Sequence, residues 1–147
     1  MLYDKLIFPK RALTVILLAM LSMGFLSVSA ARKKPVQKIK VACVGNSITY
    51  GTGIQDREHF SYPVQLQNML GDKYLVGNFG KPGATLLNHG HRPYMKQEEY
   101  RQAMAFKGDI AVIHLGINDT DPRNWPNYRD EFVKDYLSLM DSLRSAN

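Results

Sequence analysis

Cysteine is almost absent: the chain has one, Cys43, among 147 residues, so no intrachain disulfide can brace it. Cys43 stands inside an apolar run, which predicts a packed strand residue in place of a reactive thiol. Histidine is also scarce, with four residues, and His89 and His91 around Gly90 have no third ligand beside them, so a metal site is not expected. No internal repeat is present. No Lys-Ser/Thr pair follows the glycines of Gly77-Asn78-Phe79-Gly80-Lys81-Pro82-Gly83, so a P-loop is excluded. Strong charge is missing as well. The formal net charge is +6, and part of it sits in Arg32-Lys33-Lys34, Lys38 and Lys40, the pattern of a solvated linker. No nucleic-acid role follows from it.

What the chain does have is 45% apolar and 22% charged residues, an ordinary globular balance with room for one domain. Residues 1–31 stand apart. Lys5, Lys10 and Arg11 precede an apolar run from Ala12 to Val28 that ends in Val28-Ser29-Ala30-Ala31. The run approaches the ~20 residues that span a bilayer. Its small residues at the end favour a secretory signal peptide, cleaved after Ala30 or Ala31. Export to the periplasm or the extracellular space is expected, with no stable membrane association after cleavage. Cleavage would reduce the 19 basic and 13 acidic residues to 16 and 12, a net charge of +4. Residues 32–38 read as a basic linker and 39–147 as the folded domain.

Within that domain, Ile39–Val44 is a short β-branched run closed by Gly45, which predicts a buried first strand. A loop is expected over 45–61. Pro63, Val64, Leu66, Met69 and Leu70, ended by Gly71, predict an amphipathic helix. Lys73–Phe79 reads as a second strand, 80–93 as a loop, Tyr94–Phe106 as a helix and Asp109–Leu115 as a third strand. A turn through Gly116–Pro126 precedes a helix over Tyr128–Leu143. Strands alternating with helices predict an α/β fold, a three-layer flavodoxin-like parallel sheet with helices on both faces. The pattern looks truncated after the third strand and its helix, because an average sheet has about five or six strands.

In open parallel sheets, ligands bind beyond the carboxyl ends of the strands. Three loops begin there, at Gly45-Asn46-Ser47-Ile48-Thr49, Gly80-Lys81-Pro82-Gly83-Ala84 and Gly116-Ile117-Asn118-Asp119-Thr120. Ser47, just past a strand end, suits a nucleophile with backbone N–H groups nearby. Gly80 permits close approach to its N–H, and Asn118 offers an amide NH2. Each residue alone is ordinary turn chemistry. Together they supply a hydroxyl and two donors from three successive strand ends.

These three blocks resemble those of the SGNH (GDSL-like) hydrolases, with Asn46 where the name-giving aspartate of that family falls. The resemblance runs from about residue 39 to the end. It implies the SGNH hydrolase fold, Ser47 as catalytic nucleophile, and an oxyanion hole built by the Ser47 N–H, the Gly80 N–H and the Asn118 side chain. It also implies no metal or organic cofactor. The family's closing Asp-x-x-His block, which supplies the base and its orienting acid, does not follow Asn118. The base is therefore expected beyond residue 147, and the isolated chain is expected to be nearly inactive. Asp56-Arg57-Glu58-His59 has that spelling, but it lies in the first loop, where a substrate contact or a loop ion pair is expected.

Asn46, His59, His89, His91 and Asp119 are the expected substrate-binding residues. His114, inside the third strand, is expected to be a core histidine. Gly51-Thr52-Gly53-Ile54-Gln55-Asp56 resembles bacterial carbohydrate esterases, including sialate O-acetylesterases. Deacetylation of a carbohydrate ester is thus the implied reaction. The alternatives are a lipase or thioesterase with the same site, and a non-catalytic module binding carbohydrate or phosphate. Oligomeric state cannot be read from these residues.

Overall fold

The structure is a computed structural model and describes residues 37–147. The signal peptide expected over 1–31 and most of the basic linker lie outside these residues. Three parallel strands, β1 (Ile39–Gly45), β2 (Tyr74–Gly80) and β3 (Ile110–His114), form one sheet in the order β2-β1-β3. The helices are α1 (Ser47–Tyr50), α2 (Arg57–Phe60), α3 (Tyr62–Leu70), α4 (Glu98–Phe106), α5 (Trp125–Tyr128) and α6 (Phe132–Ser145). Among the described residues, no helix is long and apolar enough to cross a membrane.

The most apolar strand position belongs to β1. Val41, Ala42, Cys43 and Val44 are all at most 3% exposed, because both strand edges are paired and both faces are covered. Ala42 and Val44 face a core that contains Phe79, Tyr94, Ala103 of α4, and Leu139 and Leu143 of α6. Cys43 faces the other way, toward Tyr62 of α3. Burial pushes the Cys43 thiol up and the Tyr62 phenol up to about 12. Cys43 is the packed, protonated strand residue that its apolar neighbours predict.

Helix boundaries follow local chemistry. Pro63 stands in the first turn of α3, and Gly71, at φ +72°, ends it. The helix expected over Tyr94–Phe106 is divided: a 3₁₀ turn covers Tyr94–Lys96, Gln97 is extended at φ −90°, ψ 161°, and α4 starts after it. The last helix begins at Phe132 and not at Tyr128, with α5 and a 3₁₀ turn, Arg129–Glu131, before it. The expected loop over 45–61 contains two single-turn helices, α1 and α2.

β3 departs most from expectation. It is an edge strand, and Ile110 and Val112 are 46% and 37% exposed. His114 is exposed too, which overturns its reading as a core histidine. Its register partner Gly45 places it on the face shared by Ile110 and Val112, where no helix of the described residues covers β3.

Candidate functional site

The site begins with strand register. Gly45 pairs with Gly80 on one side and with His114 on the other, so the carboxyl ends of β2, β1 and β3 are level. The chain leaves β1 toward β2 and later crosses to β3 on the opposite side. Such a reversal opens a crevice between the strand ends where it occurs. Ser47 follows β1, and Asn118 follows β3.

Backbone hydrogen bonds join the three loops. Lys81 N donates to Gly45 O at 2.8 Å, and Asn46 N donates to His114 O at 3.3 Å. Asn118 Nδ2 donates to Ala84 O at 2.8 Å, which ties the third loop to the second. One amide hydrogen of Asn118 is thus used, and the other has no partner among the described residues, as the NH2 group carries two.

Glycine lets the first loop lie flat on the sheet. A Cβ on Gly80 would stand 2.1 Å from Tyr50 N, and one on Gly45 would stand 2.0 Å from Thr49 Oγ1. α1 therefore folds back over two strand ends that tolerate no side chain. Ser47, its first residue, is partly exposed, and its N–H belongs to the first turn, which has no acceptor within the helix.

Several expected site residues have other work. Asn46 is fully buried and caps α1, with Oδ1 accepting from Ile48 N at 3.0 Å. Its side chain is turned into the protein, where the expectation had a substrate contact. Its Nδ2 is buried without a partner. Asp119 is also fully buried: its two oxygens accept from Leu86 N at 2.9 Å and Leu87 N at 2.7 Å. It clamps the second loop, so its reading as a substrate contact is corrected. Gly80 is buried, and its N–H donates to Asn78 Oδ1 at 3.0 Å. That hydrogen is committed within the protein, contrary to the oxyanion role expected of it.

Gly83 was missed. It sits at φ +75°, beside the Ala84 carbonyl held by Asn118, and its N–H donates no hydrogen bond among the described residues. The available signal was the Pro82-Gly83 turn pair.

The histidines separate. His59 lies on α2 and pairs with Asp56 at 2.8 Å, the loop ion pair anticipated for that stretch. The hydrogen bond to Asp56 raises the His59 pKa above its ordinary 6.5. His89 pairs with Glu131 at 2.6 Å, and its ring lies 5.7 Å from that of Tyr128. His91 alone joins Asn118: both line a polar cavity of about 350 Å³ with Ile117, Thr120, Asp121 and Arg123. Hydrogen bonds from Arg123 hold the Asp121 carboxyl well below the usual carboxylate range. Among the described residues, no His, Cys, Asp and Glu group is arranged to hold a metal ion.

Comparison with known proteins places this geometry. Residues 43–147 match the GDSL-like Lipase/Acylhydrolase family. An acetylxylan esterase of Xylanibacter ruminicola is 50% identical over 106 residues, covering 72% of this chain and 22% of that protein. Among solved structures, the SGNH-hydrolase family esterase AlinE4 superposes with a TM-score of 0.54 at 19% identity, over 74% of this chain and 55% of that one. At that identity the likeness concerns the fold, which is the SGNH hydrolase fold. The chain spans about a fifth of the curated relative and just over half of AlinE4.

Proposed function

Because the chain belongs to the GDSL-like lipase/acylhydrolase family, we propose that it carries the nucleophile and oxyanion donors of a serine ester hydrolase that removes O-acetyl groups from a carbohydrate. The observation that carries this reading is the level register of Gly45 with Gly80 and His114, which brings the Ser47, Gly83 and Asn118 loops to one end of the sheet.

In this reading Ser47 Oγ attacks the ester carbonyl. The oxyanion receives the Ser47 N–H, the Gly83 N–H in place of that of Gly80, and the second hydrogen of the Asn118 amide. The tetrahedral intermediate collapses with cleavage of the ester C–O bond, and the sugar hydroxyl leaves with the proton taken from Ser47. Water then hydrolyses the acyl-enzyme to release acetate and restore Ser47. Among the described residues His59, His89 and His91 are paired with Asp56, Glu131 and Asn124. The base in this reading is a histidine beyond residue 147, as the missing Asp-x-x-His block implies. Without it the rate falls on the order of 10⁴–10⁶-fold, as in other triad deletions. Among acetylated sugars, identity to an acetylxylan esterase favours a xylan ester over a sialate ester. Export through residues 1–31 suits a polysaccharide substrate.

A fluorophosphonate probe should label Ser47 in the longer protein that contains this chain, and Ser47→Ala should abolish both labelling and acetate release from acetylated xylan. A folded protein that releases acetate unchanged after Ser47→Ala would sink the assignment.

A further inference from the structure

Asn124 is 1% exposed, and both ends of its amide have partners. Its Oδ1 lies 2.9 Å from His91 N, a backbone group that can only donate. Its Nδ2 lies 2.9 Å from Asn118 O, a carbonyl that can only accept. These two partners fix which end of the amide is oxygen and which is nitrogen. His91 Nδ1 lies 2.9 Å from Asn124 Nδ2 and 3.4 Å from Asn124 Oδ1, so the shorter contact assigns the second Nδ2 hydrogen to Nδ1. A ring nitrogen that accepts a hydrogen bond carries no proton of its own, so in neutral His91 the proton is on Nε2. That nitrogen has no hydrogen bond among the described residues, and the ring lines the same cavity as Asn118.

We propose that Asn124 is a positioning residue that holds His91 as an Nε2–H donor beside Asn118, where it binds an oxygen of the carbohydrate part of the ester. The inference rests on the hydrolase reading, which makes the Asn118 cavity the place of the substrate. Its chemistry separates His91 from a general base, because in the Nε2–H tautomer the only ring lone pair is on Nδ1, which Asn124 occupies. One side chain thus holds two groups: the Asn118 main chain, whose carbonyl accepts from Nδ2, and the His91 ring through Nδ1. A sugar presents several hydroxyl and ester oxygens that a neutral N–H can bind.

The test uses nitrogen-15 correlation spectra of the imidazoles in the full chain. Wild type should show His91 protonated at Nε2 and bare at Nδ1. Asn124→Asp has the same shape but can only accept, so it should move the proton to Nδ1 in a protein whose amide spectrum remains dispersed. On titration with acetylated xylo-oligosaccharides, the His91 Nε2–H and the Asn118 side-chain amide should shift together, and Asn124→Asp should weaken binding about tenfold. If Asn124→Asp is not folded, the wild-type tautomer and titration decide alone. A wild-type Nδ1–H tautomer, or an Asn118 amide that shifts while His91 Nε2–H does not, overturns the inference and leaves the hydrolase reading standing. If neither the Asn118 amide nor Ser47 responds to the ester, the two readings fall together.

Discussion

Asp119 shows how a residue beside a catalytic block can serve the fold. The second loop buries Ala84, Thr85, Leu86 and Leu87, and their backbone N–H groups need acceptors that water cannot supply. The Asp119 carboxylate provides two of them, and Asp135 accepts from Asn88 N at 2.7 Å. Asp119→Ala should therefore lower unfolding stability by at least about 2 kcal/mol in denaturant melts, since two buried donors lose their partner. An unchanged midpoint would show that the loop does not depend on the clamp. The Asp56–His59 pair lies on the surface and acts through pH. The His59 pKa is raised in the folded state, so the pair adds stability below the unfolded value near 6.5 and loses it as pH rises through the folded one. Asp56→Asn should lower the His59 midpoint in a chemical-shift titration. Residue types at strand ends made it legible that the loops of Ser47 and Asn118 begin at one end of the sheet. Sequence could not distinguish Gly80 from Gly83, because which N–H is free depends on Asn78, a neighbour that reads as an ordinary strand residue.

At the scale of elements, the edge of β2 is closed by a side chain. Gln67 of α3 accepts from Val76 N at 2.8 Å and donates to Tyr74 O at 3.3 Å, so one amide takes the place of a neighbouring strand. Gln67→Leu should cost about 1–2 kcal/mol and speed hydrogen exchange at the Val76 amide. Protection at Val76 equal to wild type would contradict this role. All three strands and α3 were legible, because β-branched runs ended by glycine and a proline-to-glycine helix carry their own signals. The division at Gln97 was not, since Tyr100, Ala103 and Met104 fall at helical spacing and no glycine or proline between Tyr94 and Phe106 marks a break. A tertiary and a local contact accompany the division: Tyr94 Oη donates to Phe79 O at 2.7 Å, and Gln97 Nε2 donates to Pro93 O at 2.9 Å.

For the molecule as a whole, the two sides of the sheet differ. β2 is shielded by α3, whereas β3 leaves Ile110 and Val112 open, and α6 exposes Val133 and Leu137 at 69% and 54%. Exposed apolar strand and helix faces favour self-association. Val112→Lys should lower the sedimentation-average mass of this chain at high concentration, and a wild-type chain that stays monomeric there would refute the expectation. The central place of β1 also sets an order of events during synthesis. The strand that leads into Ser47 is made first, yet its partner Ile110 pairs with Val41 only after about 70 more residues have left the ribosome. Through that interval the strand that leads into Ser47 has one unpaired side, so this end of the sheet closes only once β3 has been made.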